Sequence, residues 1–108
     1  MYKIVRKQEA AVRKISETYE ARNYITKDIS RSVSLAVNTA SGHSERETTD
    51  YDRIYYVISG ELLINIDGES SGISTGDSLL ISKGTIYDFY GTFEAVVVNQ
   101  PAFGTSVQ

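Results

Sequence analysis

The chain has 108 residues, a net charge of −3 and a pI near 5.1, which fits a single domain and gives no basic footprint for nucleic acid. It contains no cysteine, excluding disulfides and thiolate metal sites. No run approaches the roughly 18 apolar residues of a membrane-spanning helix, and the charged start MYKIVRKQEA lacks the apolar stretch of a signal peptide, so the expectation is a soluble cytoplasmic protein.

Residues 1–18 read as an extended N-terminal arm, with one helical turn near residues 8–11, where EAAVRK supplies good helix formers. A strand is predicted at about residues 19–26. Residues 31–38 alternate, with Val33, Leu35 and Val37 on the predicted buried face and Ser32, Ser34 and Ala36 opposite. The segment SERETTDYD then places four carboxylates within eight residues, Glu45, Glu47, Asp50 and Asp52. It reads as a hydrophilic loop with Arg46 and Arg53 as counter-charges, or as a cradle for a hard cation such as Ca²⁺.

Residues 54–58 form an apolar run ended by Ser59-Gly60, and residues 61–66 form the next, with Leu62, Ile64 and Ile66 in phase. Asp67-Gly68 is a type I′ hairpin signal. A polar strand at 69–74 leads to Gly76, a strand at 78–81 to Gly84, a strand at 85–90 to Gly91, and the last strand covers 93–99 before Pro101. Gly104 to Gln108 read as a loose tail. Short strands every eight to ten residues with glycine punctuation predict an all-β barrel or sandwich. The eight tyrosines suit such strands, and they also suit a pocket lined with hydroxyls.

From Ser41 to Phe103, YYVISGELLINIDG followed by STGDSLLISKGTIYDF resembles the cupin superfamily. The resemblance implies a single-domain double-stranded β-helix, or jelly roll, spanning the chain. The first cupin motif runs glycine, five residues, H-x-H, three or four residues, glutamate, six residues, glycine. Its last glycine matches Gly60, its glutamate falls at Arg53, and its histidines fall at Arg46 and Thr48, or at Glu47 and Thr49 with the shorter gap. The second motif matches Gly76 and Gly84, but Ser82 stands at its proline, Tyr87 at its histidine and Gly91 at its asparagine. Every family metal ligand is replaced. The resemblance also implies a homodimer, with the N-terminal arm suited to exchange between subunits and Tyr56, Tyr90 and Val96–Val98 available for apolar contact.

An inward Arg53 would repel a divalent metal and would accept a carboxylate or phosphate on its planar fork. Alternatively it forms a structural bridge to Asp50, Asp52 or Asp88. If positions 53 and 87 point inward, so do Tyr55, Val57, Thr85 and Phe89, while Tyr56, Asp88 and Tyr90 point outward. The expected pocket therefore comprises Arg53, Tyr55, Tyr87, Phe89, Thr48 and Thr85, unless the barrel is packed solid. A tyrosine beside an arginine can have a lowered pKa and act as acid or base.

Three functions follow as expectations. The first is a metal-independent small cupin, without cofactor, that binds a small polar or anionic molecule, carbohydrate- or carboxylate-like, inside the barrel. The second is a metal-independent sugar isomerase, epimerase or lyase using Tyr87 and Arg53. The third is a rearranged metal site around His43 and its neighbouring carboxylates, against which His43 reads as a solvated loop residue.

Overall fold

A computed structural model describes residues 1–105. A single 3-10 turn, Lys7–Glu9, is followed by seven antiparallel strands: β1 (Ala11–Ser16), β2 (Tyr19–Ile25), β3 (Ser34–Thr48), β4 (Asp52–Ile66), β5 (Glu69–Ser74), β6 (Ser78–Ile81) and β7 (Ile86–Gln100). Hydrogen bonding runs in the order β1-β2-β3-β7-β4-β5, with β6 on the other half of β4. The all-β jelly roll is thus present.

Three strands are 15 residues long, and each bends so that one sheet folds over onto itself. The first half contains β1, β2, Ser34–Ala40 of β3, Phe93–Gln100 of β7, the start of β4, and β6. The second contains His43–Thr48 of β3, Ile86–Gly91 of β7, Glu61–Ile66 of β4, and β5. Register shifts at Ala40/His43 and Val57/Ser59 mark the bends.

Gly60 and Gly91, which read in the sequence as strand stops, are instead the bend points of continuous strands. Both have positive φ, +77° and +136°. A Cβ on Gly60 would collide with the Thr92 carbonyl oxygen, and one on Gly91 with the Glu61 carbonyl oxygen. Only glycine permits that approach of β4 to β7. The hairpin at Asp67-Gly68 has positive φ at both residues, as a type I′ turn requires.

The inner faces meet in one core, where Val57, Leu62, Ile64, Phe89, Phe93 and Ala95 are buried. The predicted phase of β3 is reversed. Ser34 and Ala40 are buried inside, while Leu35 and Val37 lie on the other face and Val33 precedes the strand, exposed. The inner face of this half-strand borders a cavity, so it is small and polar, and apolar character does not mark it.

The N-terminal arm is also more structured than expected. Its residues 11–16 pair with β2 of the same chain. The expected loose tail is anchored at its start: the Gly104 N–H donates to the Tyr51 hydroxyl at 2.8 Å, and Thr105 is buried. Residues 106–108 lie outside the described residues.

Candidate functional site

At one end of the barrel the two halves do not close on apolar side chains. A cavity of about 460 Å³ lies there, lined by parts of β1–β4 and β7 and by Phe103 and Gly104. Its polar wall carries Asn38, Glu45, Glu47, Arg53, Tyr55 and Asn99.

Arg53 organises this wall. It is 4% exposed, projecting inward from β4 as the strand's alternation demands. Its Nη1 donates to Glu47 Oε1 at 2.8 Å and to the Tyr87 hydroxyl at 2.8 Å, while Nε donates to Asn99 Oδ1 at 2.7 Å. The Tyr87 hydroxyl donates to Glu47 Oε2 at 3.0 Å and lies 3.0 Å from the Tyr55 hydroxyl. Tyr87 has one proton, so with that proton on Glu47 the Tyr55 hydroxyl must donate to Tyr87. The guanidinium also lies over the Tyr51 ring, 5.9 Å from its centroid.

Nη2 makes no hydrogen bond among the described residues and is not among the fully buried, unpartnered atoms. It therefore reaches cavity space with two N–H donors. Asn99 Nδ2 is in the same position. The acceptors on this wall are Glu45 Oε2 and the open lone pairs of Glu47; Asn38 Oδ1 is fully buried without a partner.

The electrostatics follow from burial. Burial opposes the charge of Arg53, but Tyr55, Tyr87 and Glu47 outweigh it and hold its pKa above that of an ordinary arginine. Burial raises Tyr87 to about 12, with Arg53 pulling down and Glu47 pushing up. Tyr55 and Tyr19 are raised as well, again chiefly by burial. The expected lowering of Tyr87 is thus reversed: desolvation of the phenolate exceeds the attraction of an arginine already paired with Glu47.

Of the six residues expected to line the pocket, Arg53 and Tyr55 do so. Tyr87 lies directly behind them in the hydrogen-bond network, and Phe89 is buried against Tyr87, ring centroids 5.9 Å apart. Thr48 is exposed on the outer face of β3. Thr85 is half-buried in the turn before β7, where its carbonyl accepts the Thr49 N–H at 3.2 Å. The partner of Arg53 is Glu47, not Asp50, Asp52 or Asp88; Asp88 pairs with Arg46 at 3.2 Å on the outer surface. The first part of the carboxylate-rich segment belongs to β3, where alternation sends Glu45 and Glu47 inward, while Asp50 lies in the connection to β4 and Asp52 begins β4.

His43 is likewise no solvated loop residue. It is 8% exposed, stacked on Tyr19 with centroids 4.4 Å apart. Its Nε2 contacts Glu45 Oε1 at 2.8 Å and its Nδ1 contacts the Thr18 hydroxyl at 2.8 Å. A carboxylate can only accept, so Nε2 carries the proton in the neutral ring and Nδ1 accepts from Thr18.

A family metal would meet Glu47, Thr49, Arg53 and Tyr87. These do not fit a divalent cation. The Arg53 guanidinium donates to both Glu47 and Tyr87, which also contact each other, and the Thr49 hydroxyl donates to the Tyr51 carbonyl at 3.0 Å. Both ring nitrogens of His43 are in use, and among the described residues no three His, Asp or Glu groups converge to hold a metal.

Sequence reasoning misses Asn38 and Asn99, and names Glu45 and Glu47 only as candidate cation ligands, not as pocket residues. The shorter gap of the first motif did point to Glu47, and Asn99 shares the inward parity of Ala95 and Val97.

A folded-over antiparallel sheet enclosing a polar cavity at one end defines a small jelly-roll barrel. The chain belongs to the cupin domain family, whose model matches residues 32–99. No curated protein matches it. Among solved structures it is similar to the Clostridium difficile EutQ protein, with 28% identity and a TM-score of 0.74 over 79% of this chain and 64% of that chain. It therefore spans just under two thirds of that protein. It is also similar to KdgF from Halomonas sp., with 13% identity and a TM-score of 0.84 over 96% of this chain and 97% of that chain. The polyketide cyclase RemF from Streptomyces resistomycificus is 16% identical, with a TM-score of 0.78 over 98% of this chain and 88% of that chain. The last two likenesses show the fold alone. Among the described residues no helix is long and apolar enough to cross a membrane.

Proposed function

We propose that this chain is a cytoplasmic, homodimeric cupin that binds a small polar organic molecule, carbohydrate- or carboxylate-like, in the cavity without a metal. The observation carrying this reading is the buried Arg53, whose Nη2 faces the cavity beside Asn99 while acceptors of Glu45 and Glu47 line the same wall. A few placed polar groups in a concave site are what a small-ligand pocket offers. Because Nη1 and Nε are already engaged, an incoming carboxylate meets Nη2 and the Asn99 amide and not a free two-point fork. A ligand carrying both an acid or carbonyl oxygen and hydroxyl groups uses donors and acceptors together.

The test is a calorimetric and thermal-shift screen of sugar acids, hydroxycarboxylates and sugar phosphates against the wild type and Arg53→Met. The expected result is a ligand whose affinity falls at least about tenfold in the variant, the loss of one charged hydrogen bond. Unchanged affinity refutes the role given to Arg53. Stoichiometric iron, manganese or zinc in protein purified without chelator refutes metal independence.

A second reading, acid–base chemistry of the isomerase, epimerase or lyase type, is favoured by the contact between Glu47 and Tyr87. There Glu47, on the cavity wall, is the proton acceptor, held by Arg53 and by the Tyr87 hydroxyl behind it. Loss of turnover in Tyr87→Phe, with ligand affinity retained, separates this reading from simple binding.

A further inference from the structure

The cavity is strongly polar on one wall only. Its other wall, the inner faces of β1, β2 and the start of β3, is largely apolar. Cross-strand pairing sets Ala11, Asn23, Ala36 and Val97 in one row, and Arg13, Ala21, Asn38 and Ala95 in the next. The alanines in these rows leave open the volume that larger side chains fill elsewhere in the barrel. Ile15, which also lines the cavity from β1, stays 39% exposed.

At the rim stand Arg13, Lys27, Asp28 and Phe103, all lining the cavity and all exposed. The Arg13 guanidinium lies over the Phe103 ring, 5.6 Å from its centroid. The Lys27 side chain runs beside Gly104, its Nζ 3.8 Å from where a Cβ on that glycine would stand. Two cations thus rest on adjacent residues of one segment, and among the described residues neither forms an ion pair, with Asp28 or any other carboxylate. The inner wall has the opposite balance: Arg53 stands against Glu45 and Glu47, and its Nη1 is already given to Glu47.

We propose that the ligand is an amphiphilic molecule held in one orientation, with a neutral polyhydroxyl head on the inner wall, an apolar ring or short chain across the alanine rows, and a carboxylate at the rim held by Arg13 and Lys27. Resting on the reading of the cavity as a small-molecule site, this assignment places the acid group at the rim and not at Arg53. Hydroxyls both donate and accept, so they match the N–H donors of Arg53 and Asn99 together with the acceptors of Glu45 and Glu47. A carboxylate in that place only accepts, and it meets two like charges. At the rim, a guanidinium held flat on an aromatic ring keeps its edge N–H donors for a planar anion, and the ammonium of Lys27 adds a point charge. The body between the two ends covers the apolar wall and excludes water from it.

The experiment titrates three probes into the full chain by calorimetry: phenyl β-D-glucoside, 4-carboxyphenyl β-D-glucoside with its acid at the far end, and phenyl β-D-glucuronide with its acid on the sugar. The carboxyphenyl glucoside is expected to bind at least about fivefold more tightly than either of the others, the worth of one well-placed exposed ion pair. In the double variant Arg13→Gln with Lys27→Gln that advantage disappears, while phenyl β-D-glucoside keeps its affinity. Should the double variant lose its melting transition, the second measurement is the wild type in about 0.3 M against about 0.02 M salt, where the higher salt erodes the advantage. Equal affinities for the probes, an advantage that survives the double variant or the added salt, or no binding of any probe overturns the proposal. Tightest binding of the glucuronide, lost in Arg53→Met, also overturns it while upholding Arg53 as the ligand-binding residue, so the two readings fail separately.

Discussion

The Arg53 guanidinium and the Glu47 carboxylate meet at 2.8 Å, although β4 and β3 are separated by β7 in the sheet. The contact closes one half of the folded sheet onto the other at the cavity end, where the apolar core stops. It holds inward-facing polar side chains of several strands in one arrangement.

Removing Arg53 therefore costs stability as well as binding. In Arg53→Met the Glu47 carboxylate loses its counter-charge and Asn99 Oδ1 its donor. Breaking a buried pair costs about 3–5 kcal/mol, and the partial exposure of Glu47 (27%) places this variant near the low end, about 3 kcal/mol. Urea unfolding measures it. The double variant Arg53→Met with Glu47→Gln recovers part of the loss, because the uncompensated charge is gone.

Tyr87 and Tyr55 make unequal contributions to the same network. The Tyr87 hydroxyl contacts Arg53, Glu47 and Tyr55, whereas the Tyr55 hydroxyl contacts Tyr87 alone. Tyr87→Phe leaves several buried groups without a partner and costs about 2–3 kcal/mol, against about 1 kcal/mol for Tyr55→Phe. Equal losses in equilibrium unfolding would contradict the proton assignment that makes Tyr87 the hub.

Much of this barrel could be read directly, and the misreadings share a cause. The hairpin at Asp67-Gly68 and the inward set Arg53, Tyr55, Val57, Tyr87 and Phe89 follow from turn chemistry and a period of two, and both are present. Gly60 and Gly91 read as stops because a sequence shows that a glycine is permissive, not that a neighbouring strand crosses against it. The phase of β3 was inverted because apolar residues were assigned to the inside. Here the inside is a polar cavity, and Leu35 and Val37 face outward. The pairing of Glu47 with Arg53 is not legible, because charged residues in a hydrophilic stretch look solvated until a buried cation on another strand is known to face them.

The raised phenols predict alkaline instability. In the unfolded chain Tyr87 titrates near 10.0, and in the folded chain at about 12; Tyr55 and Tyr19 shift in the same direction. Above pH 10 the unfolded state sheds protons that the folded state keeps, so stability falls as pH rises. The contribution is complete below pH 10 and is lost as pH climbs through about 12. Tyrosinate absorbance should show that Tyr19, Tyr55 and Tyr87 resist ionisation until the fold is lost. In Tyr87→Phe the number resisting should fall, and early ionisation of all eight in folded protein would contradict the burial of the network.

The bend glycines give the sharpest test of the fold. Alanine at Gly60 must adopt φ near +77° and at Gly91 near +136°, and each Cβ meets a backbone carbonyl that cannot move without opening β4 from β7. Strain and overpacking together cost about 3 kcal/mol or more. Gly72 is the control: it has no positive φ, and its nearest obstacle is the flexible end of the Glu61 side chain at 2.8 Å. Gly72→Ala should stay within about 1 kcal/mol of wild type. If β4 and β7 were each two separate strands joined by loops, all three substitutions would be similarly mild. A large loss at positions 60 and 91 with tolerance at 72 is specific to continuous strands that bend against each other.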